Sequence, residues 1–124
     1  MTLVFNNINA FIALEPRHYK FLKTINLTRN ISQESCSKYD VELILSQLTS
    51  SEHELHIRFA NVFDIQIGHL EGLFGLFIDI EDVSDMQLED GKYRVVEQEE
   101  QAFSFYCKDF FAELVVPENG RRKT

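Results

Sequence analysis

Acidic side chains are the densest group in this sequence that could do chemistry. Half of the twelve residues from Asp79 to Asp90 are carboxylates, and three further glutamates follow in residues 97–100. Carboxylates can ligate a divalent cation, act as general acid and base, or attract a positively charged protein. The candidate residues are Asp79, Glu81, Asp82, Asp85, Glu89, Asp90, Glu97, Glu99 and Glu100.

These uses require different surroundings. A calcium loop of the EF-hand type needs a glycine in its middle, whereas Gly91 follows the acids, so that motif is excluded. A catalytic pair of carboxylates needs a pocket in which the surroundings shift the two pKa values apart, and the sequence pattern indicates no such pocket. A solvated loop that only keeps the protein soluble is the plain alternative. We expect a surface that steers a cationic protein partner.

Other reactive residues do not form a recognisable site. His18, His53, His56 and His69 lack the spacing of a zinc site and are expected at the surface. The sequence contains no nucleophile elbow, zinc-protease or phosphate-loop motif. It therefore predicts no catalytic residue, no metal and no cofactor, in a protein that is not an enzyme.

The two cysteines are predicted to be reduced. Cys36 and Cys107 are far apart and lack CxxC spacing. Cys107 ends an alternating run from Phe103, which favours a buried thiol that faces the core.

Charge is unevenly distributed along the 124 residues. The net charge is −8, but residues 1–31 carry +3, residues 32–120 carry −14, and residues 121–123 carry +3. A domain this acidic repels nucleic-acid phosphates and anionic membranes, so neither is an expected partner. Residues 1–7 lack the features of a signal peptide, and no apolar run reaches the roughly 20 residues of a membrane span. The expected location is the cytoplasm.

The elements that must position the acids are mostly strands. Apolar residues alternate with polar ones in residues 39–45 and 55–59, which predicts a hairpin, and Asn61 interrupts the alternation at an expected corner. Residues 76–80 predict another strand. A second hairpin is predicted from residues 92–97 and 102–108, and a last strand from residues 111–116.

The first third of the chain is less regular. Residues 3–14 suggest a strand with a break, and residues 24–31 a further strand. Pro16 suits the first turn of a helix near residues 16–22.

These elements predict a mainly β protein, α+β at most. About seven to nine strands would form an antiparallel β-sandwich or a strongly curved sheet, with that one short helix. Residues 1–117 are expected to be a single globular domain and residues 118–124 a mobile basic tail.

Aromatic residues offer a second kind of surface. The chain has 11 phenylalanines and no tryptophan. Phe77 and Phe110 lie beside another aromatic or opposite a strand's main apolar series, so each is either core or part of an exposed apolar interface.

The segment from Leu55 to Ile65 contains Phe59, Asn61 and Val62 in an alternating apolar context. This pattern resembles small bacterial β-rich proteins of unknown function, some of which are classed with immunity proteins of polymorphic toxin systems. Residues 92–96 and 102–109 resemble the C-terminal hairpin of such families. The resemblance covers about half of the chain. It implies a compact, non-enzymatic cytosolic domain that blocks a toxin by binding it.

Two functions remain open from the sequence. The leading one is a protein-binding module, in the form of an immunity protein that neutralises a basic toxin through its acidic surface. The alternative is a homo-oligomeric β domain, such as a homodimer, with a structural or small-molecule-binding role. In that case the Phe-rich face pairs with itself and the acidity only confers solubility.

Overall fold

The computed structural model describes residues 3–31, 38–47, 53–68, 76–86, 91–99 and 101–116. It contains eight strands, one short α-helix and two 3-10 turns. In chain order these are β1 (Val4–Phe5), α1 (Ile8–Ala13), a 3-10 turn (Pro16–His18), β2 (Phe21–Asn30), β3 (Lys38–Ser46), β4 (Glu54–Ile67), β5 (Ile78–Asp82), a second 3-10 turn (Ser84–Met86), β6 (Tyr93–Glu97), β7 (Phe103–Cys107) and β8 (Asp109–Val115).

The strands form an antiparallel sheet that curls into a half-barrel, which confirms the mainly β prediction and its curved-sheet form. One half runs in the order β1-β8-β4-β3-β2, and the other in the order β4-β7-β6-β5. Both predicted hairpins are present, with Leu43 opposite Ile57 in the first and Val95 opposite Phe105 in the second.

β4 belongs to both halves of the sheet because it bends in its middle. Its first part lies between β3 and β8, whereas its last residues pair with β7. The change of partner occurs around Asn61, whose φ of 57° lies in the left-handed region that asparagine tolerates better than most residues. The corner predicted at Asn61 is confirmed.

One apolar core fills the concave side of the sheet. Alternate residues of each strand point inward, as in β3, where Val41, Leu43 and Leu45 are buried, and β4, where Leu55 and Ile57 are buried. Cys107 is fully buried in this core with a free thiol, as predicted. Burial raises the pKa of that thiol to about 12. Cys36 lies outside the described residues.

The N-terminal segment differs from the prediction. Where a broken strand was expected, the two-residue β1 is followed by α1, because the Asn7 side chain accepts a hydrogen bond from the Ala10 N–H (3.0 Å) and begins a helix. Glu15, with a φ of 59°, ends it. The helix expected near residues 16–22 is limited to one 3-10 turn, since β2 already begins at Phe21.

Candidate protein-binding site

The acidic residues of β5 lie along one edge of the sheet. Within the described residues β5 pairs only with β6. Ile78 and Ile80 point into the core, and strand alternation therefore turns Asp79 and Glu81 outward. Asp82 is the last residue of β5, and Asp85 lies in the second 3-10 turn that follows it. We call Asp79, Glu81, Asp82 and Asp85 the acidic edge. Asp79 is half-buried, and the other three are exposed.

Local contacts keep these carboxylates in place without neutralising them. Asp82 accepts hydrogen bonds from the Ser84 hydroxyl (2.7 Å) and the Ser84 N–H (2.9 Å). Those bonds hold the pKa of Asp82 below its usual value, so it stays ionised at neutral pH. Glu81 faces Arg94 at 3.7 Å, but both side chains are well exposed, and such a pair is weak.

Glu97 was predicted to belong to the acidic surface, and that prediction is wrong. Its side chain is fully buried. One carboxylate oxygen accepts the N–H groups of Phe77 (3.0 Å) and Glu99 (2.8 Å), and the other accepts that of Ala102 (3.0 Å). Glu97 therefore ties the β6–β7 turn to the start of β5. Its neighbour Glu99 is exposed on the same turn.

Three of the predicted acidic residues cannot be placed relative to this edge. Glu89, Asp90 and Glu100 lie outside the described residues, as does His69.

Phe110 was predicted to be either core or an apolar interface candidate, and it belongs to the core, so it is not an interface residue. Its ring is fully buried and packs edge-on against Phe11, with centroids 6.0 Å apart, and Tyr93, at 5.0 Å. Phe77 is half-buried instead, and the Arg17 guanidinium lies over its ring at 4.9 Å from the centroid.

A groove of about 350 Å³ lies between β5 and the segment formed by α1 and the first 3-10 turn. We call it the Phe77 groove. Its apolar lining residues are Phe11, Ile12, Pro16, Phe77, Ile78 and Ile80. Ile12 is 59% exposed. Nothing in the sequence pattern singles out Ile12, because residues 3–14 were expected to form a strand, and a strand there implies no contact between Ile12 and Phe77.

Charged side chains surround this groove. Asp79 of the acidic edge lines it, as do Glu15, Arg17 and His18. His18 contacts Glu15 at 3.4 Å, and both side chains are largely exposed. The groove and the acidic edge are therefore continuous through Asp79.

A second exposed apolar surface lies on the convex side of the other half of the sheet. The rings of Phe5 and Phe111 contact each other, with centroids 4.9 Å apart, and Arg58 lies over Phe111 at 5.2 Å. Leu3 and Phe5 are both more than half exposed. Leu3 and Phe5 could not be identified as a surface from the sequence, because β1, which contains Phe5 and follows Leu3, is only two residues long.

The part of the chain that the structure describes contains no metal-binding cluster and no membrane-spanning helix. There, no three histidine, cysteine or acidic side chains lie close enough together to hold a metal ion. His56 contacts the buried Glu54 at 3.3 Å. None of the described helices has the length and apolar character needed to cross a bilayer.

Comparison with known proteins gives one match. A family model described as immunity protein PIM8 matches residues 3–113. This confirms the resemblance to immunity proteins and supports an immunity-type, protein-binding role. Such families are generally non-enzymatic. No curated protein and no solved structure matches the chain.

Proposed function

The chain belongs to the immunity protein PIM8 family, and from this premise we propose that it neutralises a basic toxin by binding it through the acidic edge. The observation that carries the proposal is the outward placement of four carboxylates along one sheet edge. Three of them lie on β5, which Ile78 and Ile80 fix in the core, and Asp85 lies on the 3-10 turn that follows. Most of the charge is therefore held on a rigid support.

Charge supports a positively charged partner. Residues 32–120 carry a net charge of −14, and the acidic edge adds a local concentration of that charge. Such a surface accelerates encounter with a cationic protein and disfavours nucleic acid and anionic membranes. In this proposal the protein acts in the cytoplasm, by occlusion, and needs neither catalysis nor a cofactor.

The test first asks whether a toxin gene adjoins this chain's gene, and its absence would count against the proposal. It then measures association with the toxin domain that this adjoining gene encodes, at several salt concentrations. One variant neutralises the acidic edge (Asp79→Asn, Glu81→Gln, Asp82→Asn, Asp85→Asn). At low salt we expect its association rate constant to fall about tenfold or more, with a weaker salt dependence.

The matched control changes the net charge equally at other sites. It carries Asp40→Asn, Glu42→Gln, Asp64→Asn and Glu113→Gln, and we expect its association rate to fall by less than about threefold, because these acids do not border the acidic edge. Equal effects of the two variants would mean that only overall charge matters and would refute the acidic edge as the binding surface.

Leu3 and Phe5 favour a second candidate function, which is self-association. Both side chains are more than half exposed and lie beside Phe111. Such an exposed apolar cluster is typical of the centre of an interface between two copies of a chain. Light scattering after size exclusion distinguishes this case. A stable dimer that Phe5→Ser dissociates would support it, and a monomer at about 100 μM would exclude it.

A further inference from the structure

The Phe77 groove is a recess with a mainly apolar lining, and it adjoins the acidic edge at Asp79. Its volume of about 350 Å³ is at the small end of ligand pockets, which is enough for one large side chain rather than a cofactor. Protein interfaces commonly concentrate their binding energy in an anchor side chain that fills such a recess.

The walls of the groove are held in place by the fold. Phe11 is 2% exposed and packs on Phe110, while the N–H of Phe77 is bonded to the buried Glu97. The N–H of Leu76 also donates to the Lys20 carbonyl (3.1 Å), which joins the start of β5 to the segment after the first 3-10 turn. A recess between two such anchored walls is already formed before a partner arrives, which lowers the cost of binding.

Charges at the groove select the kind of segment that can enter. Asp79 stands at the groove, and Glu81 follows two residues later on the same face of β5, a separation of roughly 6.6 Å along a strand. Glu15 lies on the opposite wall. Arg17, over the Phe77 ring, contributes one positive charge at the groove, against the two carboxylates of Asp79 and Glu15. The other carboxylates of the acidic edge lie beyond the groove, so negative charge predominates there.

We propose that the Phe77 groove receives one large apolar side chain of the toxin, carried on a segment whose flanking residues are basic and contact the acidic edge. This inference rests on the proposed function and deepens it, because it divides the interface into two parts. The acidic edge governs how fast the complex forms, whereas the groove governs how long it lasts.

A peptide experiment tests the chemistry of the groove without the toxin. The probe is an acetylated and amidated pentapeptide with tryptophan between two pairs of lysines, titrated into the isotope-labelled protein by NMR. We expect shifts at the Ile12 methyl groups and the Phe77 amide, with a dissociation constant on the order of 1 mM.

Two altered peptides separate the apolar and charged contributions. Replacing tryptophan by alanine should weaken binding at least about tenfold, since the ring supplies most of the buried apolar area. Replacing the lysines by glutamates should abolish the shifts, because the peptide then meets like charge. Shifts that are absent at Ile12 and Phe77, or equal for all three peptides, would overturn the inference.

The second experiment places the groove in the toxin complex. Ile12→Ser removes an exposed apolar group from the groove, so folding is not at risk, and we expect the dissociation rate to rise about tenfold with unchanged salt dependence. Ile31→Ser is the matched control, because Ile31 is 74% exposed and does not line the groove. It should leave both rates unchanged.

The outcomes distinguish this inference from the function on which it rests. If Ile12→Ser leaves dissociation unchanged while the acidic-edge variant still slows association, the groove lies outside the interface and only this inference fails. If the wild-type protein does not bind the toxin domain, the proposed function fails, and the assignment of the groove to a toxin fails with it.

Discussion

Glu97 and the β5 residues of the acidic edge lie on two strands that pair with each other, yet their carboxylates have opposite roles. Ile78 of β5 lies opposite Glu97 of β6, and the next pair along is Asp79 with Val96. Glu97 therefore points into the protein and Asp79 out of it. Glu97 gives its oxygens to backbone N–H groups, whereas the acidic edge leaves its charge available to a partner. The side of the sheet, and not the density of acids in the sequence, decides which carboxylates can bind.

A graded series of stability measurements sharpens this comparison. Each variant replaces one glutamate by glutamine, which keeps the shape and removes the charge. The expected losses decrease from Glu97, which is fully buried, to Glu54, which is 7% exposed, and then to the exposed Glu81.

Glu97→Gln should have the largest effect. In the wild type both carboxylate oxygens accept backbone N–H groups, whereas in glutamine one of them is replaced by an NH₂ group that cannot accept. At least one buried N–H then has no acceptor, so we expect a loss of about 3 kcal/mol in the free energy of unfolding. Urea denaturation measures it. Glu99→Gln, on the exposed part of the same turn, is the control and should change stability by less than about 0.5 kcal/mol. Similar values for the two variants would contradict the structural role of Glu97.

Glu54→Gln should have an intermediate effect that depends on pH. Burial by itself raises the pKa of Glu54, but hydrogen bonds and charge from Lys23 and His56 outweigh it, so the pKa lies below its ordinary 4.5. The wild type should therefore exceed the variant in stability by about 1 kcal/mol at pH 7.

This advantage has a defined pH range. It is fully present above the ordinary pKa of 4.5 and is lost as the pH falls through the lower pKa of the folded state. Unfolding curves at pH 7 and near pH 3 measure the change. An advantage that persists undiminished near pH 3 would show that shape, and not ionisation, is responsible.

Glu81→Gln should have the smallest effect on stability. Its contact with Arg94 at 3.7 Å is largely exposed to solvent, so we expect a change within about 0.5 kcal/mol. Thermal unfolding at low and high salt measures it. A loss above about 1 kcal/mol would place Glu81 with Glu97 as a structural acid and would weaken the acidic edge as a binding surface.

The sheet itself could be predicted because the alternation that identifies a strand involves only residues that are close together in sequence. Alternation in β3, β4, β6 and β7 identified the strands, and an asparagine among apolar residues identified the corner of β4. The burial of Glu97 also had a local signal, since it shares the inward parity of Tyr93 and Val95. The run of acids around it concealed that signal.

Other features depend on distant residues and could not be inferred. Inward positions are odd-numbered in β7 and even-numbered in β8, since the bend at Lys108 changes the parity. Nothing in the adjacent pair Phe110 and Phe111 shows which of the two is inside. The Phe77 groove likewise exists only because α1 folds against β5, more than sixty residues away in sequence.

The bend in β4 has a consequence for how the chain folds. Glu54 pairs with Val115 and Ile67 with Phe103, so β4 completes its hydrogen bonding only when strands from the far end of the chain arrive. Such distant pairings make folding slow relative to helical proteins of this length. We expect the two halves to melt in a single step, and a backbone cut near Asn61 to unravel both, because each would lose the strand that they share.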